Sequence, residues 1–176
     1  MDIIDRLRFI QETSMSYTLI KLVHIGSLIF WIGPALGSWL VLRYSQTQTG
    51  EESEATKLIY RVFFLTLSVE HIALVTLLGS GAIMAFYFGH WPAPWLQWKL
   101  MIIAIVIVPL ELIDIWLGNW KLKRLVERRS NGRSLTKPEQ NLIRCYHSYF
   151  TPAAVIVLPI TVFVVMWLAI SKNILG

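Results

Sequence analysis

Between Lys21 and Arg43 the chain runs for 21 residues without a formal charge, and between Arg144 and Lys172 it runs for 27. About 20 apolar residues rising 1.5 Å each cross a hydrocarbon layer of about 30 Å, so each stretch predicts a membrane-spanning helix. From Arg61 to Lys99 only Glu70 is charged, and from Leu100 to Trp120 only Glu111 and Asp114 are, which predicts two further spans that carry acids. With 55% hydrophobic residues and a mean hydropathy of +0.56, a soluble domain of this size would be hard to solvate. The expected fold is a single all-α domain over residues 1–176, a four-helix transmembrane bundle of up-down topology with a short amphipathic N-terminal helix. The spans are expected at about 18–42, 61–88, 97–120 and 147–171.

The charges orient this bundle. The connection 121–144 holds Lys121, Lys123, Arg124, Arg128, Arg129, Arg133, Lys137 and Arg144, and with Arg43, Lys57 and Arg61 the two connections at that end carry 11 of the 16 Lys and Arg. By the positive-inside rule that end faces the cytoplasm, with both termini outside, in a bacterial inner membrane. A basic juxtamembrane loop is an orientation signal and a contact for anionic lipid, so the net charge of +5 calls for no nucleic acid. The opening residues MDIIDRLRFIQETSMS lack the order of a cleaved signal and predict an interfacial lead-in helix. Trp91, Trp95 and Trp98 gather at one boundary and Trp116 and Trp120 at the other, where amphipathic rings anchor. Cys145 is the single cysteine, which excludes an intrachain disulfide and a cysteine-rich metal site.

Ionisable groups inside a membrane are functional candidates by default. On the first span Lys21, His24, Ser27, Leu28, Trp31, Ala35 and Ser38 share one helical face, and Gly26, Gly33 and Gly37 give a neighbouring face a small-residue pattern suited to close approach of a helix or a flat ligand. His24 and Lys99 fall at a similar depth near the outer boundary. A second, inner layer gathers Glu70 and His71, then Glu111 and Asp114 one turn apart just after Pro109, then Tyr146, His147 and Tyr149. Thr66 is placed to bond Glu70 from one turn below.

Neutral imidazoles on facing helices of a bundle are a common means of holding haem, so haem b is the leading cofactor expectation, with His24, His71, Trp31 and Gly33 as its contacts and a cationic side chain for the propionates. His24 and His71 lie about 10 Å apart in depth by rise per residue, so ligation by both requires tilt, and ligation by His24 alone is the other arrangement. Metal binding through His24, His71 and His147 with the acids is a third option. The inner acids, Glu70, Glu111 and Asp114, suit either proton relay to a quinone or haem site, or simple pinning of helices through Arg61 and Arg144.

The stretch K-L-V-H-I-G-S-L-I-F-W-I-G (21–33), followed by W-L-Q-W-K-L-M (95–101), resembles the HemJ-like proteins, small four-helix membrane proteins of bacteria linked to haem b and to oxidation of protoporphyrinogen. The resemblance implies His24 as axial haem ligand and Lys99 as its functional partner. Where those proteins close the first helix with proline-arginine this chain has G-S-W-L-V-L-R (37–43), and where they open the last helix with N-E-x-P it has Y-F-T-P (149–152). Glu111 and Asp114 occupy the region of a family histidine. The second half, K-L-K-R-L-V-E-R-R-S-N-G-R-S-L and an apolar tail, is similar to a related group of predicted bacterial integral membrane proteins without assigned function.

The expected function is that of a haem b membrane redox protein, an oxidoreductase if an enzyme, with Lys99, Glu70, Glu111 and Asp114 as its working groups. It would pass electrons from a lipid-soluble or porphyrin donor to quinone or a partner oxidase of the respiratory or haem pathway. The alternative is a non-catalytic membrane subunit that handles or assembles haem or copper. Membrane lipids and a homo-oligomer are the other expected partners. A channel is the weaker third reading, because the prolines show no repeat.

Overall fold

The computed structural model describes residues 3–50, 53–88 and 91–171. Among these, four helices are long and apolar enough to cross a membrane. They are α1 (Ile3–Thr49), α2 (Glu54–Phe86), α3 (Pro94–Ser130) and α4 (Lys137–Ile170). The lead-in helix is not separate: α1 continues through it into the span.

Helix boundaries follow local chemistry. Gly50 adopts φ +80°, a left-handed turn that costs a glycine nothing. Ser53 then caps α2 by accepting the Thr56 N–H at 3.1 Å. The buried Thr56 hydroxyl donates to the Gly50 carbonyl at 2.8 Å and lies 2.9 Å from Ser45 Oγ, which fastens the α1–α2 turn. The basic connection expected over 121–144 is mostly helix, since α3 runs to Ser130 and α4 starts at Lys137. Gly132 (φ +75°) turns the chain between them, and Glu139 closes the start of α4 by accepting the Thr136 N–H at 2.8 Å.

Three stretches widen from α to π hydrogen bonding: Ile103–Ile107, Ile115–Leu122 and Tyr146–Phe150. Two of them run up to a proline. Pro109 and Pro152 lack an N–H, and their rings would strike the carbonyl four residues back. The wider turn shifts that carbonyl, and Val108 and Thr151 bond five residues back, to Ile103 and Tyr146.

The helices meet in two apolar layers. Trp31, Ala73, Leu74, Leu77, Ile107 and Val162 bring all four helices together at mid-bundle. Leu42, Tyr60, Phe63, Phe64, Leu67, Leu122, Leu125, Ile143 and Tyr146 fill the basic end. Outward-facing Leu19, Leu22, Ile29 and Phe30 on α1 and Phe163 and Trp167 on α4 are exposed, as lipid-facing positions are, because hydrocarbon exacts no cost for apolar surface. Gly26, Gly33 and Gly37 do not serve helix packing within the chain: a Cβ on any of them would meet no atom within 4 Å.

Candidate functional site

Between the two apolar layers lies a buried polar cluster fed by every helix. Its centre is His71 on α2. Asn119 Nδ2 donates to His71 Nδ1 at 2.9 Å, which leaves Nε2 facing Asp114 Oδ2 at 3.3 Å and Glu111 Oε2 at 3.6 Å. From α1 the Trp31 indole N–H donates to Glu111 Oε1 at 2.9 Å, and from α4 the Tyr146 hydroxyl donates to Asp114 Oδ1 at 2.8 Å. Glu70 is buried beside them within electrostatic reach of both other acids. Its Oε2 and the Asn119 Oδ1 are buried without a hydrogen-bond partner. Two carboxyl groups thus share one imidazole, an indole and a phenol, a third is buried beside them, and no arginine or lysine is bonded to the three among the described ion pairs.

Backbone geometry makes this cluster reachable. Glu111 and Asp114 sit between two π turns, Asn119 within the second, and Tyr146 in the third. Gly118 is required for a steric reason: a Cβ there would fall 2.8 Å from both the Tyr146 hydroxyl oxygen and Leu67 Cδ2. Thr66 takes no part, because its hydroxyl donates to the Val62 carbonyl at 2.9 Å.

His24 forms a second, separate site toward the opposite end. Its Nδ1 lies 3.0 Å from the Leu77 carbonyl oxygen and 3.1 Å from Ser80 Oγ. A carbonyl only accepts, so Nδ1 carries the hydrogen and Nε2 carries the lone pair. Ser80 Oγ itself donates to the Thr76 carbonyl at 2.7 Å, so it too receives from the ring. Gly81 provides the bed for this imidazole: a Cβ there would lie 3.1 Å from His24 Cε1. Lys99 is close enough to act electrostatically on the ring, which places the two groups at one level.

The structure therefore brings together Trp31, Glu70, His71, Glu111 and Asp114, and separately His24 with Lys99. It does not bring His24 to His71. His24 meets α2 at Leu77 to Gly81, six to ten residues beyond His71, or about 9–15 Å along the axis. His147 is apart from both: it is buried, with Nε2 3.4 Å from the Tyr60 hydroxyl and Nδ1 without a partner. Gly33 lies exposed on α1, and Trp31 is 1% exposed and bonded to Glu111 rather than placed beside His24. Among the described residues no group of three or more His, Cys, Asp or Glu is arranged to hold a metal ion.

Sequence reasoning missed Asn119, Gly118, Ser80 and Gly81, all neutral and small. The available signal was spacing: Gly118 follows Asp114 by four residues and therefore shares its helix face.

The donor chemistry of His24 fits an axial haem ligand. A ligating histidine gives its other ring N–H to a carbonyl or carboxylate, which fixes the tautomer and the ring plane, and the Leu77 carbonyl does this here. His71 fits less well, since both of its nitrogens face polar groups of the cluster.

Four apolar helices around buried polar groups define an all-α integral membrane protein. The chain belongs to the predicted integral membrane protein family DUF2269, whose profile matches residues 18–173. This accords with the group of predicted membrane proteins that the basic second half resembles. Neither a curated protein nor a solved structure matches the chain.

Proposed function

We propose that this protein is a haem b-binding redox protein of the bacterial inner membrane, with His24 Nε2 as axial ligand near the outer face and Lys99 pairing a propionate. The observation that supports it is the bond from His24 Nδ1 to the Leu77 carbonyl, which presents a lone pair from a fixed imidazole. Haem supplies one-electron chemistry when bound. The chain's own contribution is to hold the ring over Gly81 and to manage protons in the cluster of Glu70, Glu111, Asp114 and His71, about half a membrane away from the basic, cytoplasmic end. A lipid-soluble quinone or porphyrin is the donor or acceptor class that reaches such a site from the bilayer. The unpacked glycines of α1 suit contact with a partner helix or a second copy.

The test is the visible spectrum of protein purified in mild detergent from haem-replete cells, oxidised and dithionite-reduced. Sharp reduced b-type bands are expected in the wild type and in His71→Ala, and their loss in His24→Ala. A colourless wild type, or bands that survive in His24→Ala and vanish in His71→Ala, contradicts the assignment.

A further inference from the structure

At the basic end a cavity of about 850 Å³ opens between α1, α2, the end of α3, the α3–α4 turn and the start of α4. Five cationic side chains line it, Arg43, Lys57, Arg129, Arg133 and Arg144, and among the described residues no aspartate or glutamate does. Within this lining Arg43 Nη1 donates to the neutral Gln46 at 3.2 Å, and Lys57 pairs with Glu54 at 2.7 Å. An independent feature lies at the same place. His147, which lines the cavity, is 2% exposed and its Nδ1 has no partner.

Topology alone needs basic residues near the membrane, spread in any arrangement. It does not need five of them from five segments to converge on one concavity, where like charges repel. From this convergence we infer that the cavity binds an anion carrying two or more phosphoryl groups. One phosphoryl group carries at most two negative charges against five cations, so an anion with two or three such groups complements the lining better. Arginine forks are suited to this, since guanidinium nitrogens bond phosphate oxygens in pairs. The cavity borders the membrane, so the same chemistry has two sources: the headgroup of a diphosphatidyl lipid, or a soluble di- or triphosphate. This site is independent of His24 and of the haem reading.

The experiment uses the full-length protein. Inorganic pyrophosphate and orthophosphate are titrated calorimetrically into detergent-solubilised protein, and native mass spectrometry records lipid retained after release from nanodiscs containing diphosphatidylglycerol or phosphatidylglycerol. Both measurements are repeated on Arg133→Gln/Arg144→Gln, two exposed positions whose change spares the core, and on the charge-matched control Lys121→Gln/Arg124→Gln outside the cavity. A soluble ligand predicts pyrophosphate binding about tenfold or more tighter than orthophosphate, weakened about tenfold or more by the cavity variant and unchanged by the control. A lipid ligand predicts retained diphosphatidylglycerol that the cavity variant loses and the control keeps. Absence of both, or equal losses in the two variants, overturns the proposal.

Discussion

Gly118 and Tyr146 compete for one volume: the bare Cα of Gly118 on α3 leaves the space through which the Tyr146 hydroxyl reaches Asp114 at 2.8 Å. A methyl group at Gly118 would displace that hydroxyl or the Leu67 side chain. The contact ties α4 to the polar layer, and the glycine is a condition of it.

Gly118→Ala is therefore expected to cost about 1–3 kcal/mol. Thermal unfolding in detergent measures it, and the double variant with Tyr146→Phe shows the mechanism. With the hydroxyl already gone the penalty should shrink; equal penalties in both backgrounds would mean that the hydroxyl is not what the methyl group displaces.

Trp31 joins α1 to α3 through its 2.9 Å bond to Glu111, with both side chains buried. Trp31→Phe preserves most of the packing but leaves Glu111 Oε1 without its donor, so a loss of about 1–3 kcal/mol is expected. Trp31→Phe in a Glu111→Leu background should cost clearly less, and unfolding midpoints for the four proteins of this cycle decide the matter.

Within the cluster, His71 and Glu70 should behave oppositely. His71→Ala removes the group shared by Asn119, Glu111 and Asp114, and a loss of about 3–5 kcal/mol is expected from the stranded polar groups. Glu70→Gln removes a carboxyl whose Oε2 has no partner, so stability should hold or rise. A large loss in Glu70→Gln would show that its carboxylate has a partner that the fold does not supply.

Glu139 offers a pH test outside the membrane. The Thr136 backbone N–H, the Thr136 hydroxyl and Arg128 all bond its carboxylate, and they hold its pKa below the ordinary value of 4.5. Because the folded value is the depressed one, the cap's contribution is full above the ordinary value and is lost as pH falls through the lower one. Hydrogen exchange at the first turn of α4 should therefore show protection relative to Glu139→Gln that persists at neutral pH and disappears in acid. Protection that is the same in both proteins at neutral pH would remove the cap from the account.

Much of this was legible in the sequence for one reason: charge is so costly in hydrocarbon that its absence marks spans and its presence marks sites. Lys21 to Arg43 marked the apolar part of α1, though not its full extent, and Glu70, His71, Glu111 and Asp114 stood out as one inner layer. Lys99 and His24 could be paired by depth alone. The π turns were not legible, because widening a helix changes hydrogen bonding without changing composition, although Pro109 and Pro152 marked two of them. Those turns set which face Glu111 and Tyr146 present. The glycines misled for a related reason. Gly33 and Gly37 match a packing pattern but meet nothing, while Gly81 and Gly118 match none and make room for side chains on other helices, Gly81 for His24 and Gly118 for Leu67 and Tyr146.

The most direct test of the central claim separates ligation from folding at His24. His24→Gly, expressed in haem-replete cells and purified in detergent, is titrated with free imidazole while the reduced spectrum is recorded. The account predicts that the variant lacks b-type bands and that imidazole restores them, because the small molecule fills the vacated space above Gly81 and supplies the missing nitrogen. Bands that persist in the variant without imidazole, or a wild type that carries no haem, would contradict it.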